Sequence, residues 1–190
     1  MKFSRADLIN QELRALEKKG FWSKFTSEYS KQKPIVLNVT VPGLLYLRLK
    51  DLVPKLQDKD YEFCLDDTFQ LLSDDILREY TKSLDAERMF YGLLSREGKI
   101  IKKIDGKEVF YKEMLKTNTS VNVSIKRETV LSLEWLCSDM FERVEEADRT
   151  YLVEDVLRVV FTDFAIRARR GEIPNLSRIL GKYVRTGEIA

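Results

Sequence analysis

Two short alternating runs, each followed by a helical stripe, organise the chain. From Ile35 to Val41 the apolar Leu37, Val39 and Val41 alternate with Val36, Asn38 and Thr40, the period of a strand with one buried and one exposed face. Val121, Val123 and Ile125 alternate in the same way with Ser120, Asn122, Ser124 and Lys126. Behind the first run Leu45, Leu49, Leu52, Val53 and Leu56 recur at three- and four-residue spacing, and behind the second Leu133, Leu136, Cys137, Met140, Phe141 and Val144 do the same. An amphipathic helix is predicted after each strand. Pro42-Gly43 ends the first strand, and Pro54 should kink or shorten the first helix. A second helix follows in both places. One runs through Tyr80 with Asp67 or Thr68 as its cap, and the other buries Val153, Val156, Leu157, Val160, Phe161 and Phe164 with Thr150 as its cap.

These passages are near-copies. Asn38-Val39-Thr40-Val41 and Asn122-Val123-Ser124-Ile125 lie 122 − 38 = 84 residues apart, and the same offset carries Leu49, Leu52, Val53 and Leu56 onto Leu133, Leu136, Cys137 and Met140. Repetition of this kind predicts two copies of one small unit that complete each other's core. In the second helices, Asp74-Asp75-Ile76-Leu77-Arg78 matches Glu154-Asp155-Val156-Leu157-Arg158 at an offset of 154 − 74 = 80, which places four extra residues between the helices of the first copy.

The remaining segments frame the copies. Residues 5–30 predict a helix with an irregular apolar face, bent near Gly20 and ended by Lys33-Pro34. Between the copies, Lys99 to Ile104 and Lys107 to Lys112 flank Asp105-Gly106, a strong hairpin signal. Leu176 to Val184 predicts a last short helix. The expected organisation is a helical arm over 1–33, a first unit over 34–83, a basic connector with a β-hairpin over 84–118, a second unit over 119–166 and a basic tail over 167–190.

Charge sharpens this division. The chain has 190 residues and a net charge of only +2, but residues 1–33 hold eight Lys or Arg against four acids and residues 167–190 hold six against two, whereas residues 128–163 hold three against ten. Basic charge is thus concentrated in the arms and connector. With no histidine, and with Cys64 and Cys137 far apart, neither a metal nor a disulfide framework is expected; each cysteine reads as a small buried apolar residue. No signal core or membrane-length stretch is present, so a cytoplasmic protein is expected. Without a glycine-rich phosphate loop or a nucleophile elbow, nothing recommends an enzyme.

The order of an alternating strand, a helix, a turn and a second helix preceded by a Thr resembles the ribbon-helix-helix superfamily, the class of the Arc and methionine repressors. Asn122-Val123-Ser124-Ile125 resembles the family's strand and Arg149-Thr150-Tyr151-Leu152-Val153-Glu154-Asp155-Val156-Leu157-Arg158 the opening of its second helix; the likeness extends more weakly over Ile35 to Tyr80. It implies a mainly α fold with short β structure. Tandem units would form an intramolecular pseudo-dimer, or a homodimer, around a two-stranded antiparallel ribbon whose outer face enters the major groove of double-stranded DNA. Base contacts would come from Asn38, Thr40, Asn122, Ser124 and Lys126, residue types suited to base edges. Backbone contacts would come from Thr68, Arg149, Thr150 and Tyr151 at the second-helix openings, and from Lys102, Lys103, Arg169 and Arg170. Pro42 matches Lys126 across the repeat, so an imperfect or asymmetric site is expected. The implied function is a cofactor-free transcriptional repressor or regulator, or a plasmid or phage maintenance factor, associated with the nucleoid. The alternative is a protein-interaction module on the same fold, antitoxin-like or an assembly scaffold.

Overall fold

A computed structural model of the chain describes residues 1–17, 33–52, 64–97, 100–104, 107–110, 117–144, 149–173 and 179. Among these are six helices and four strands: α1 (Leu8–Glu17), β1 (Ile35–Pro42), α2 (Gly43–Leu52), α3 (Leu65–Ser83), α4 (Ala86–Glu97), β2 (Ile100–Ile104), β3 (Lys107–Phe110), β4 (Asn118–Ile125), α5 (Arg127–Arg143) and α6 (Val153–Arg169). The strands form two separate antiparallel pairs, β1 with β4 and β2 with β3. The second pair is the expected connector hairpin, although Asp105-Gly106 itself lies outside the described residues.

Strand alternation sorts side chains as the pattern predicts. Leu37, Val39, Val41, Val121, Val123 and Ile125 are buried, leaving Val36, Asn38, Thr40, Ser120, Asn122 and Ser124 on the other face. The first helices match at the offset of 84: α2 begins at Gly43 and α5 at Arg127, with Leu49 and Leu133 both buried. Gly43 sits at a close approach of two backbones. Its N–H donates to the Thr117 carbonyl at 2.8 Å, and a Cβ there would stand 3.1 Å from that oxygen.

The ladder register carries the repeat's symmetry. Each β1 residue faces the β4 residue that brings their numbers to 160, from Ile35 opposite Ile125 to Pro42 opposite Asn118. Asn38 and Asn122 are the one pair in this ladder that are both cross-strand partners and repeat counterparts. A pseudo-twofold axis therefore passes between them, and it exchanges Val36 with Ser120 and Thr40 with Ser124. Helix packing follows the same exchange. The second helix of each copy lies on the strand and first helix of the other: α6 on β1 and α2, α3 on β4 and α5, with α3 and α6 also in contact. Phe69 and Phe161 stack between them with centroids 4.7 Å apart and planes 2° from parallel.

Four expectations are corrected. The second helices correspond at an offset of 88, not 80, because their N-caps are Cys64 and Leu152 and Asp67 and Asp155 occupy the matching third positions. Buried Thr68, Phe69, Leu71, Leu72, Ser73 and Ile76 then fall on buried Val156, Leu157, Val159, Val160, Phe161 and Phe164. The four extra residues belong to the second copy. The connector also contains an unforeseen helix, α4, which buries Ala86, Met89, Phe90 and Leu93 against α5 and α6; Asp85 Oδ1 accepts the Arg88 N–H at 2.9 Å in its first turn. Phe141 is half-exposed, its ring 6.1 Å from Phe3, and Cys64 is exposed while Cys137 is buried, both as free thiols. The arm helix spans Leu8–Glu17; residues 18–32, Val53, Pro54, Leu56 and, apart from Ile179, the expected tail helix lie outside the described residues.

Candidate functional site

The outward face of the β1–β4 ribbon gathers the predicted base-contact residues. Antiparallel pairing brings Asn38 beside Asn122, Thr40 beside Ser120 and Val36 beside Ser124, the spacing at which opposed side chains interact. Asn38 Nδ2 donates to Asn122 Oδ1 at 2.9 Å, and Ser120 Oγ donates to Asn38 Oδ1 at 2.5 Å. The centre of the face is a preformed amide–hydroxyl chain with unused donor and acceptor capacity. Thr40, Ser120, Asn122 and Lys126 are exposed and Ser124 and Asn38 half-buried. Ser120 and Val36 share this outward face, although the resemblance implies base contacts only from Asn38, Thr40, Asn122, Ser124 and Lys126.

Lys126 sits where β4 turns into α5. Its side chain is exposed, and its N–H donates to Gln70 Oε1 at 2.9 Å. Gln70 Nε2 reaches Thr129 Oγ1 and Asp74 Oδ1, both at 2.8 Å. A glutamine on the second helix of the first copy thereby satisfies a donor at the start of the second copy's first helix. The repeat counterpart of Lys126 is Pro42, which has no N–H to satisfy, and the counterpart of Gln70 at the offset of 88 is Arg158.

The residues expected at the second-helix openings are placed differently. Thr68 is buried in the first turn of α3, its hydroxyl donating to the Cys64 carbonyl at 3.4 Å; the cap interaction is made by Asp67 Oδ2, which accepts the Cys64 N–H at 2.8 Å. Thr150 is not a cap, because α6 starts three residues later and Asp155 Oδ2 accepts the Leu152 N–H at 3.3 Å. Tyr151 is buried, and its hydroxyl donates to Glu97 Oε2 at 3.2 Å. Arg149 is drawn to the same carboxylate through both terminal nitrogens and lies 4.6 Å from the Tyr151 ring centre. Arg158 completes the cluster, 3.1 Å from Glu97 and 3.0 Å from Asp155. Glu97 ends the unforeseen α4, which is why these side chains turn inward.

The opening of α6 is also covered by the chain's own beginning. The Val153 N–H donates to the Phe3 carbonyl at 2.8 Å, and the Arg5 N–H donates to Glu154 Oε1 at 2.9 Å. This segment is held by Glu134, only 1% exposed, which accepts the Leu8 and Ile9 N–H groups at 2.9 and 2.8 Å and the Ser4 hydroxyl. The carboxylate thus caps α1 from another helix, where free N–H groups and the helix dipole favour negative charge.

Of the remaining expected backbone contacts, Lys102 and Lys103 lie on β2, and their side chains are outside the described residues. Arg169 and Arg170 are exposed at the end of α6, and Arg170 is 3.5 Å from Glu172. Cations at that end also complement the helix dipole.

Among the described residues no cluster of acids and cysteines could hold a metal ion, and no helix is long and apolar enough to cross a membrane. No family model, curated protein or solved structure matches the chain.

Proposed function

We propose that the protein binds double-stranded DNA with sequence preference, laying the β1–β4 ribbon in the major groove as a single-chain counterpart of a ribbon-helix-helix dimer. The observation that carries this reading is the register. It puts Asn38 against Asn122 at the centre of an outward polar face, with a pseudo-twofold axis between them, and reciprocal packing of the second helices supports the same arrangement. A two-stranded ribbon fits the major groove, and Asn, Ser and Thr can read base edges there. A lone strand would leave its backbone groups unpaired; the tandem copies supply both strands in one chain.

The α6 opening, capped by Phe3 and flanked by the Glu97 cluster, takes no part in phosphate contact in this reading. Lys126, exposed at the end of the ribbon, stays among the base contacts. Occupancy of an operator-like site, without cofactor, accounts for a repressor, a regulator or a plasmid or phage maintenance factor in the cytoplasm. Selection from random duplexes followed by salt titration tests it. A preferred sequence should emerge, with affinity falling by a slope of about −0.9 per neutralised phosphate in a log–log plot. Absence of duplex binding at low salt would favour the interaction module instead, for which the exposed Leu44 and Leu47 of α2 offer a docking face.

A further inference from the structure

We infer that Val36 reads a thymine methyl in one half of the bound site only, so that the preferred duplex carries a required thymine on one side of its centre and is not a palindrome. The inference rests on the duplex-binding reading above and deepens it. Val36 is 66% exposed on the outward face of β1, among Asn38, Thr40, Ser120, Asn122 and Ser124. The core does not need it, since Leu37 and Ile125 beside it already fill the inward face. A valine side chain can neither donate nor accept a hydrogen bond, and the apolar feature that a base edge offers in the major groove is the thymine C5-methyl group. Ser124, directly opposite, is placed to bond a polar atom of the same or the adjoining base.

The pseudo-twofold axis makes this a one-sided device. The position that matches Val36 across the axis is Ser120, whose hydroxyl is engaged with Asn38. One end of the ribbon therefore presents a valine and a serine, with Lys126 beyond them, and the other a threonine and a serine. Two residues of strand separate Val36 from the central Asn38, about 7 Å at ~3.4 Å per residue, which corresponds to about two base pairs along the duplex at ~3.4 Å per step.

The test uses the full chain and its selected duplex, with each thymine replaced singly by deoxyuridine, which removes only the methyl. The wild type should lose about fourfold in affinity at one thymine about two base pairs from the centre, the scale of one buried methyl, with at most a smaller loss on the other side, where the outward methyl is that of Thr40. Val36→Ser should bind the unmodified duplex about fourfold more weakly, with an unchanged salt slope, and lose nothing further to deoxyuridine; Val36→Thr should retain part of the penalty, and Ser120→Val should create a second one in the opposite half on a duplex that carries a thymine at the matching position. A flat deoxyuridine scan on a well-bound duplex, or a penalty that persists in Val36→Ser, overturns the role of Val36 and leaves duplex binding standing. If no duplex is bound, both readings fall.

Discussion

The two copies share a strand, a first helix and a second helix, yet they are enclosed differently. In the second copy α5 is flanked by α1, α3, α4 and α6, and the opening of α6 is closed by Phe3. In the first copy α2 packs on β1, β4 and α6 among the described residues; each first helix keeps two large apolar side chains on the surface, Leu44 and Leu47 in α2 and Trp135 and Phe141 in α5. The segments before and between the copies pack on the second of them. The repeat counterpart of buried Glu134 is Lys50, and that of Lys126 is Pro42. Symmetry holds where the halves fit each other, in the ribbon and the crossed second helices, and is absent where these flanking segments pack on one half.

The strongest way to break this comparison is at the shared centre. Phe69→Ala and Phe161→Ala, one from each copy and both fully buried, should each cost about 3–5 kcal/mol. A double-mutant cycle should return a coupling of about 1 kcal/mol, because the rings stack on each other. Urea denaturation of the four proteins measures this; strict additivity would mean that the copies are not joined through this pair.

Next come the unequal positions. Glu134→Leu strands three donors at the beginning of the chain and should cost about 3 kcal/mol, whereas Lys50→Leu, at the matching exposed site, should change stability by less than about 0.5 kcal/mol. Equal costs would remove the claim that only the second copy is anchored in this way.

A pH-dependent difference is expected from two tyrosines. Tyr80 donates to Asp139, joining α3 to α5, and burial, reinforced by that carboxylate, pushes its phenol up to about 12. Tyr151 is raised by burial and then by Glu97. An unfolded tyrosine titrates near pH ~10. Above that pH the unfolded chain releases the phenolic proton while the folded chain keeps it, so stability present below pH ~10 is lost as the pH rises toward the folded value. Tyr80→Phe and Tyr151→Phe should each make the fall in urea midpoint between about pH 10 and 12 shallower than in the wild type.

The smallest effect concerns the start of α6. Thr150→Ala should cost less than about 0.5 kcal/mol, since Thr150 does not cap the helix, while Asp155→Ala, which removes the cap acceptor and a partner of Arg158, should cost about 1 kcal/mol. The reverse order would restore Thr150 as the cap.

These contrasts also show how far the chain could be read before its fold was known. Alternation in Leu37–Val39–Val41 and Val121–Val123–Ile125 identified both faces of the ribbon, because a period of two allows one sorting once a face is buried. The stripe of α6 was equally plain. The second-helix alignment slipped by eight residues because an amphipathic helix resembles itself when slid by about two turns. For α4 the signal is present in Asp85 followed by Ala86, Met89, Phe90 and Leu93, a stripe short enough to be masked by the charged residues around it. Nothing local could place Glu134 against Leu8, Gln70 against Lys126 or Phe3 against Val153. These are backbone groups at helix ends satisfied by partners 56 to 150 residues away in sequence, and only the fold brings them together.

The proposed sequence readout by the paired asparagines at the pseudo-twofold axis is tested most directly by the ratio of affinities for a selected and a random duplex, measured at one salt concentration. In the Asn38→Ala, Asn122→Ala double variant that ratio should collapse by about 1–3 kcal/mol for each bidentate asparagine–base pairing removed, with the salt slope of the remaining binding unchanged. A double variant that discriminates as well as the wild type would contradict the role given to these two residues.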